Sequence, residues 1–130
     1  MVVERSAPRS YHNLRAFRRA TELQSNLFWL SRSFPSNLDA SLIRPLRRHA
    51  YRLTRAVWYV WRNRTNDVAT EHATADARSE VEMLQYYLLR AESEGVLRSD
   101  TRDDLESRLG DLSVEINRLR RSLATAVRSA

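Results

Sequence analysis

The chain predicts an all-α fold, an antiparallel up-down-up-down four-helix bundle, and three observations carry that expectation. It holds only two Gly and three Pro in 130 residues, too little turn material for a β-sandwich or a glycine-rich phosphate loop. Its apolar residues recur at steps of three and four in four successive segments, the spacing that places side chains on one helix face. The breaks between those segments are short and polar, as connections between neighbouring bundle helices are. At 42% hydrophobic residues a chain of this length supplies one core, so residues 11–130 are expected to form a single bundle domain behind a loose tail at 1–10.

The first helix is expected from Ser10 onward, with Ala16, Ala20, Leu23, Leu27, Leu30 and Phe34 as its buried stripe. Pro35 pushes the residue before it out of the α region, and Ser36 and Asn37 favour a turn, so the helix ends there. The second helix starts near Asp39 or Ser41 and runs to about Arg62, burying Leu46, Ala50, Leu53, Val57 and Val60 or Trp61. Pro45 is comfortable only in a first turn, which demands a start near Ile43 or Arg44, or else a bend at the proline. A polar stretch at 63–67 marks the second connection. The third helix opens on Val68, Ala69, Ala73 and Ala77, gains weight at Val81, Leu84, Leu88 and Ala91, and stops before Gly95, a residue suited to a left-handed cap. Ser99 is the expected N-cap of the fourth helix, with Asp100, Asp103 and Asp104 in the first turn, where the helix dipole favours negative charge. Leu105, Leu109, Leu112, Ile116, Leu119, Leu123 and Val127 then hold a seven-residue period.

All 22 basic residues are arginine and none is lysine. Their distribution is uneven. Residues 1–64 carry 13 Arg against 3 acids, a balance of +10, whereas 65–130 carry 9 Arg against 13 acids, a balance of −4. A basic half joined to an acidic half reads either as a polyanion-binding surface or as two hairpins attracting each other, within the bundle or between subunits.

Several chemistries lack their residues. There is no cysteine, which removes disulfides, thiolate metal sites and cysteine nucleophiles. No Glu-x-x-His occurs, so the carboxylate di-metal site of helical bundles is not encoded. His12, His49 and His72 fall in three different segments, each without a second histidine at helical spacing. Glu80 with Glu82, and Glu92 with Glu94, read as solvated faces of the third helix. Without a nucleophile–base pair the chain is expected to have no catalytic activity, no metal and no cofactor. The opening MVVERSAPRS lacks the apolar core of a signal peptide, and no uncharged stretch approaches the ~20 residues of a membrane span, so a soluble, cytoplasmic protein is expected.

One constellation points to a function. Arg44, Arg48, Tyr51, Arg55, Trp58 and Arg62 follow steps of four and three along the second helix, which aligns guanidinium groups and rings in one stripe away from the core. Arg47 and Arg52 widen it. Arginine forks onto phosphate oxygens and aromatic rings stack on unpaired bases, so the stripe reads as an RNA or DNA contact surface. The same residues also suit a subunit interface, with the arginines meeting acidic helices of a neighbour. Tyr86 and Tyr87 add a patch on the third helix that is expected to be core or interface, and Phe28 and Trp29 broaden the apolar face of the first beyond what a thin bundle needs, so they are expected to be buried against another chain. A membrane-surface role is set aside, since the bundle needs the apolar stripe.

The motifs also carry a family resemblance. Tyr11-His12-Asn13-Leu14, then Ala16-Phe17, Ala20, Leu23 and Leu30-Ser31-Arg32-Ser33-Phe34-Pro35 resemble the opening helix of the four-helix-bundle proteins encoded in intervening sequences of bacterial 23S rRNA genes. Leu46-Arg47-Arg48-His49-Ala50 is similar to that family's Ile-Arg-Arg-Ala-Ala, Ser79-Glu80-Val81-Glu82 to its Ser-Glu-Leu-Glu, and Leu88-Leu89-Arg90-Ala91 with Gly95-Val96-Leu97 to the end of its third helix. After the Arg-Arg pair the family carries a Ser-Ile-Pro-x-Asn-Ile-Ala-Glu-Gly-like segment, and here positions 52–61 are more basic and aromatic instead. The resemblance implies a homopentameric ring. It also implies kinship with the accessory variability determinant proteins of diversity-generating retroelements, pentamers that bind nucleic acid and a reverse transcriptase. Of the stripe, only Arg47 and Arg48 match a basic position of the family.

Overall fold

A computed structural model describes residues 14–129, with side chains from 14 to 123. The expected tail at 1–10, the helix start at Ser10, His12 and the side chain of Val127 lie outside the described residues. Within them the chain forms four α-helices and no strand: α1 (Arg15–Ser31), α2 (Arg44–Arg62), α3 (Asp67–Ser93) and α4 (Ser99–Ser129). Each helix packs against two others, α1 and α3 both touching α2 and α4, around one shared core of leucines that includes Leu27, Leu46, Leu53, Leu84, Leu88, Leu109 and Leu112. The architecture is a four-helix bundle. No helix among the described residues is long and apolar enough to cross a membrane.

The stripes of α1, α2 and α4 lie where their spacing puts them. Ala16, Ala20, Leu23 and Leu27 are buried, and Phe34 folds back into the core from beyond the end of α1. Leu30 and Leu119 pack on the core edge with part of their surface in water. Leu123 joins Val60 and Ala73 in a smaller cluster at one end.

Pro45 shapes the entry to α2. The α-helix proper starts at Arg44, which puts the proline in its first turn, where a missing N–H costs least. The chain is nevertheless helical earlier, in a π-helical turn over Asp39–Ile43 in which the Arg44 N–H reaches back to the Asp39 carbonyl. The carbonyl four residues before Pro45 belongs to Ser41 and cannot receive the usual helical bond. Arg90 of α3 donates to it through Nη1 at 3.2 Å.

The opening of α3 differs from expectation. Val68 is exposed, and the buried positions are Thr70, Ala73, Thr74 and Ala77. Two threonines enter the core because their hydroxyls find backbone acceptors: Thr70 donates to the carbonyls of Asn63 and Asn66, and Thr74 to that of Thr70. Asn66 caps the helix, its Oδ1 accepting the Ala69 N–H at 3.0 Å. At the other end Gly95 takes φ 77°, and the N–H groups of Val96 and Gly95 close on the carbonyls of Ala91 and Glu92, a Schellman cap.

Helix α4 starts one residue earlier than a Ser99 cap requires. The Arg98 carbonyl accepts the first helical bond, from Arg102, while Asp100 accepts from the Thr101 N–H and from the Arg98 side chain. Arg102 clamps the α3–α4 corner, bonding Glu92 at 2.8 Å and Glu106 at 2.9 Å. The Glu92 bond raises the guanidinium above its ordinary pKa. Glu92 is therefore an interhelix partner and not part of a solvated face, a relation that spacing within α3 cannot reveal.

In urea denaturation Leu46→Ala is expected to cost about 2–5 kcal/mol, and Asn66→Ala and Gly95→Ala about 1 kcal/mol each. A Gly95→Ala variant as stable as the parent would show that the corner does not require a left-handed residue.

Candidate nucleic-acid interface

Because α2 buries Leu46, Ala50, Leu53, Val57 and Val60, a period of 3.6 turns the opposite arc to solvent. Arg44, Arg48, Tyr51, Arg52, Arg55 and Arg62 are exposed there, Tyr51 to 53%. Arg47 and Trp58 are only half-exposed. Arg47 leans on α1, donating to Ser31 Oγ at 2.8 Å with its guanidinium 4.4 Å over the Phe28 ring. Trp58 meets Tyr59 edge-on at 5.0 Å.

The electrostatics of this arc are unusual for a surface helix. Positions 44–62 contain no acidic residue, so no carboxylate sits at the i+3 or i+4 positions that would neutralise an arginine along the helix. Arg44 pairs with Asp39 at 2.6 Å, and Arg55 lies 5.8 Å from the Tyr51 ring. Among the described residues, Arg48, Arg52, Arg55 and Arg62 have no ion-pair partner. Arginines of the second half are handled differently: Arg102, Arg108, Arg118 and Arg120 pair with Glu92, Asp104, Glu115 and Glu71. Between the two halves the described ion pairs are Arg15–Glu115 at 3.7 Å and His49–Glu80. Among the described residues, the charge asymmetry is thus largely undischarged.

Two further aromatic groups adjoin the arc. On α1, Phe28 and Trp29 are exposed, Trp29 to 63%, and Arg32 lies 4.6 Å over the Trp29 ring. Arg47 bridges this patch to the α2 surface, so arginine and aromatic groups continue from one helix to the next. Tyr59, which lies outside the stripe expected from the spacing, is also exposed. It lines a groove of about 160 Å³ between α2 and α3 together with Arg52, Arg55, Asp76, Ser79 and Glu80. A signal for it exists in the sequence, since Tyr59 stands four residues after Arg55 and seven after Arg52.

Beneath the groove, His49 is 8% exposed. It donates from Nδ1 to Glu80 Oε2 at 2.5 Å and stacks on Tyr87 at 5.6 Å. Glu80 is accordingly a cross-helix partner of α2, which corrects its assignment to a solvated face; Glu82 is exposed. Tyr87 packs on the core edge, while Tyr86 stays exposed with Met83 and Leu89 on the outer surface of α3. His72 is exposed. Among the described residues no three His, Asp or Glu side chains converge as metal ligands would.

Chemically the surface offers planar guanidinium forks for phosphate oxygens and ring faces for stacking. Comparison of the chain with protein-family models, curated proteins and solved structures finds no match.

Removing the carboxylate in Glu80→Ala is expected to lower stability by about 1–3 kcal/mol, because the His49 donor beneath the groove loses its acceptor. Unchanged urea denaturation would show that the contact contributes nothing net.

Proposed function

We propose that this chain is a non-catalytic, homo-oligomeric nucleic-acid-binding protein that contacts RNA or DNA through the arginine and aromatic face of α2. In this reading the bundle is antiparallel, up-down-up-down, cytoplasmic, and assembled as the homopentameric ring that the 23S rRNA intervening-sequence resemblance implies. It serves as an accessory to an RNA or to a reverse transcriptase.

The observation that carries the proposal is the set of exposed guanidinium groups at Arg48, Arg52, Arg55 and Arg62 that have no carboxylate partner among the described residues. Like charges at helical spacing cost a few tenths of a kcal/mol per pair, and the chain accepts that cost here while pairing Arg102, Arg108, Arg118 and Arg120 with carboxylates. A polyanion relieves it, releasing counterions as each phosphate is neutralised. From Arg44 to Arg62 the row extends about 27 Å along the helix axis, room for several consecutive phosphates.

A second reading, a protein-interaction scaffold without nucleic-acid affinity of its own, is favoured by the exposed rings of Tyr51, Phe28 and Trp29. Such rings are the anchors on which protein interfaces concentrate their energy.

Fluorescence anisotropy with labelled single-stranded RNA and duplex DNA, at low and at physiological salt, separates the two. Binding is expected to weaken with salt along a log–log slope of about −3 on the single strand and about −3.6 on the duplex for four phosphate contacts. Arg48→Glu combined with Arg55→Glu should abolish it without changing the mass in solution; unchanged binding would overturn the proposal. Tyr51→Ala tests the scaffold reading by light scattering, and a lower mass would place this face between subunits. Tyr51 is a cleaner probe than Trp58, whose loss would also disturb packing against Tyr59.

A further inference from the structure

The groove between α2 and α3 carries a contradiction for a surface that only tracks phosphates. Arg52, Arg55 and Tyr59 form one wall, and Asp76, Ser79 and Glu80 the other. Glu80 is engaged by His49. Asp76 is exposed and, among the described residues, has no cation or donor partner, although two arginines line the same groove. A free carboxylate there repels a polyanion and lowers non-specific affinity. Its placement is accounted for if it accepts hydrogen bonds from a base.

The bases differ in what they offer a carboxylate. The Watson–Crick edge of guanine presents two adjacent donors, N1–H and the N2 amino group, which match the two oxygens of a carboxylate. Adenine and cytosine present one amino group beside an acceptor nitrogen that a carboxylate repels, and uracil one N–H flanked by carbonyls. Those edges are accessible only in single strands, where bases splay out and stack on aromatic side chains. Tyr59 supplies the stacking face, the Ser79 hydroxyl is a donor suited to guanine O6, and Arg52 and Arg55 are placed for the flanking phosphates.

We propose that this groove reads an unpaired guanine in a single-stranded nucleic acid, with Asp76 as the residue that determines specificity. The inference rests on the nucleic-acid reading above and deepens it. An exposed Arg–Asp pair is worth so little that a base which satisfies both carboxylate oxygens displaces any transient contact between Asp76 and its neighbouring arginines.

The test uses the full chain and labelled uridine tracts carrying a single central guanine, an inosine in its place, or uridine throughout. A parallel deoxythymidine series distinguishes RNA from DNA as the source. The guanine strand is expected to bind about tenfold tighter than the all-uridine strand, with most of that gain lost on inosine, which lacks the N2 amino group. Asp76→Asn should erase the guanine preference while binding the all-uridine strand at least as well as the parent, since a repulsive charge is gone. Equal affinity for guanine and uridine strands in the parent, or a preference that survives in Asp76→Asn, overturns the guanine assignment and leaves phosphate binding standing. No binding of any strand at low salt overturns the nucleic-acid reading itself. Circular dichroism of Asp76→Asn confirms that the exposed substitution leaves the helices intact.

Discussion

Leu46, Ala50, Leu53, Val57 and Val60 leave water together, and because an α-helix turns once in about 3.6 residues, their burial commits the other side of α2 to solvent. Everything notable about the molecular surface follows from that commitment. Arg44, Arg48, Arg55 and Arg62 cannot retreat toward the core without bringing the apolar stripe out. The flanks of α2 are committed as well, since Arg47 is tied to α1 through Ser31 and Phe28 and His49 to α3 through Glu80. The helix is thus held from both sides with its arginine arc outward.

The remaining helices distribute their charge differently. On α4 carboxylates lie within reach of arginines at Asp104–Arg108 and Glu115–Arg118, and Arg102 gathers Glu92, Asp103 and Glu106 at the corner with α3. Exposed pairs of this kind add little stability each, but they cancel the local field. On α2 the field is left standing. Within about a Debye length it adds to the arginines of α1 and its C-terminal end, so Arg32 and the Trp29 ring it covers belong to the same electrostatic surface as Arg48 and Arg55.

That surface is not uniformly basic. At the groove with α3 the exposed Tyr59 and, across from it, Asp76, which has no partner among the described residues, adjoin the arginine row. Charge attracts any polyanion alike, whereas hydrogen-bonding edges and ring faces discriminate among bases. The proposed division is therefore between a helix face that holds a strand and a groove that inspects one base.

Periodicity alone placed most of the bundle, because burying apolar surface is the main force that drives the chain to fold and an apolar stripe is visible in one dimension. The four helices, the short connections, the left-handed Gly95 and the outward row on α2 were legible in this way. The threonines that enter the core at the start of α3 were not, since Thr70 and Thr74 look polar until their hydroxyls meet a carbonyl one turn back. Nor were the roles of Glu80, Glu92 and Arg90. Each answers a partner on another helix: His49, Arg102, and the carbonyl of Ser41 that Pro45 cannot serve. Asp76 and Tyr59 came to share a groove for the same reason. The sequence by itself determined which face of each helix is apolar and where positive charge accumulates. Only the tertiary structure decided which polar groups meet across helices, because that depends on how the helices are aligned against one another and not on spacing within any one of them.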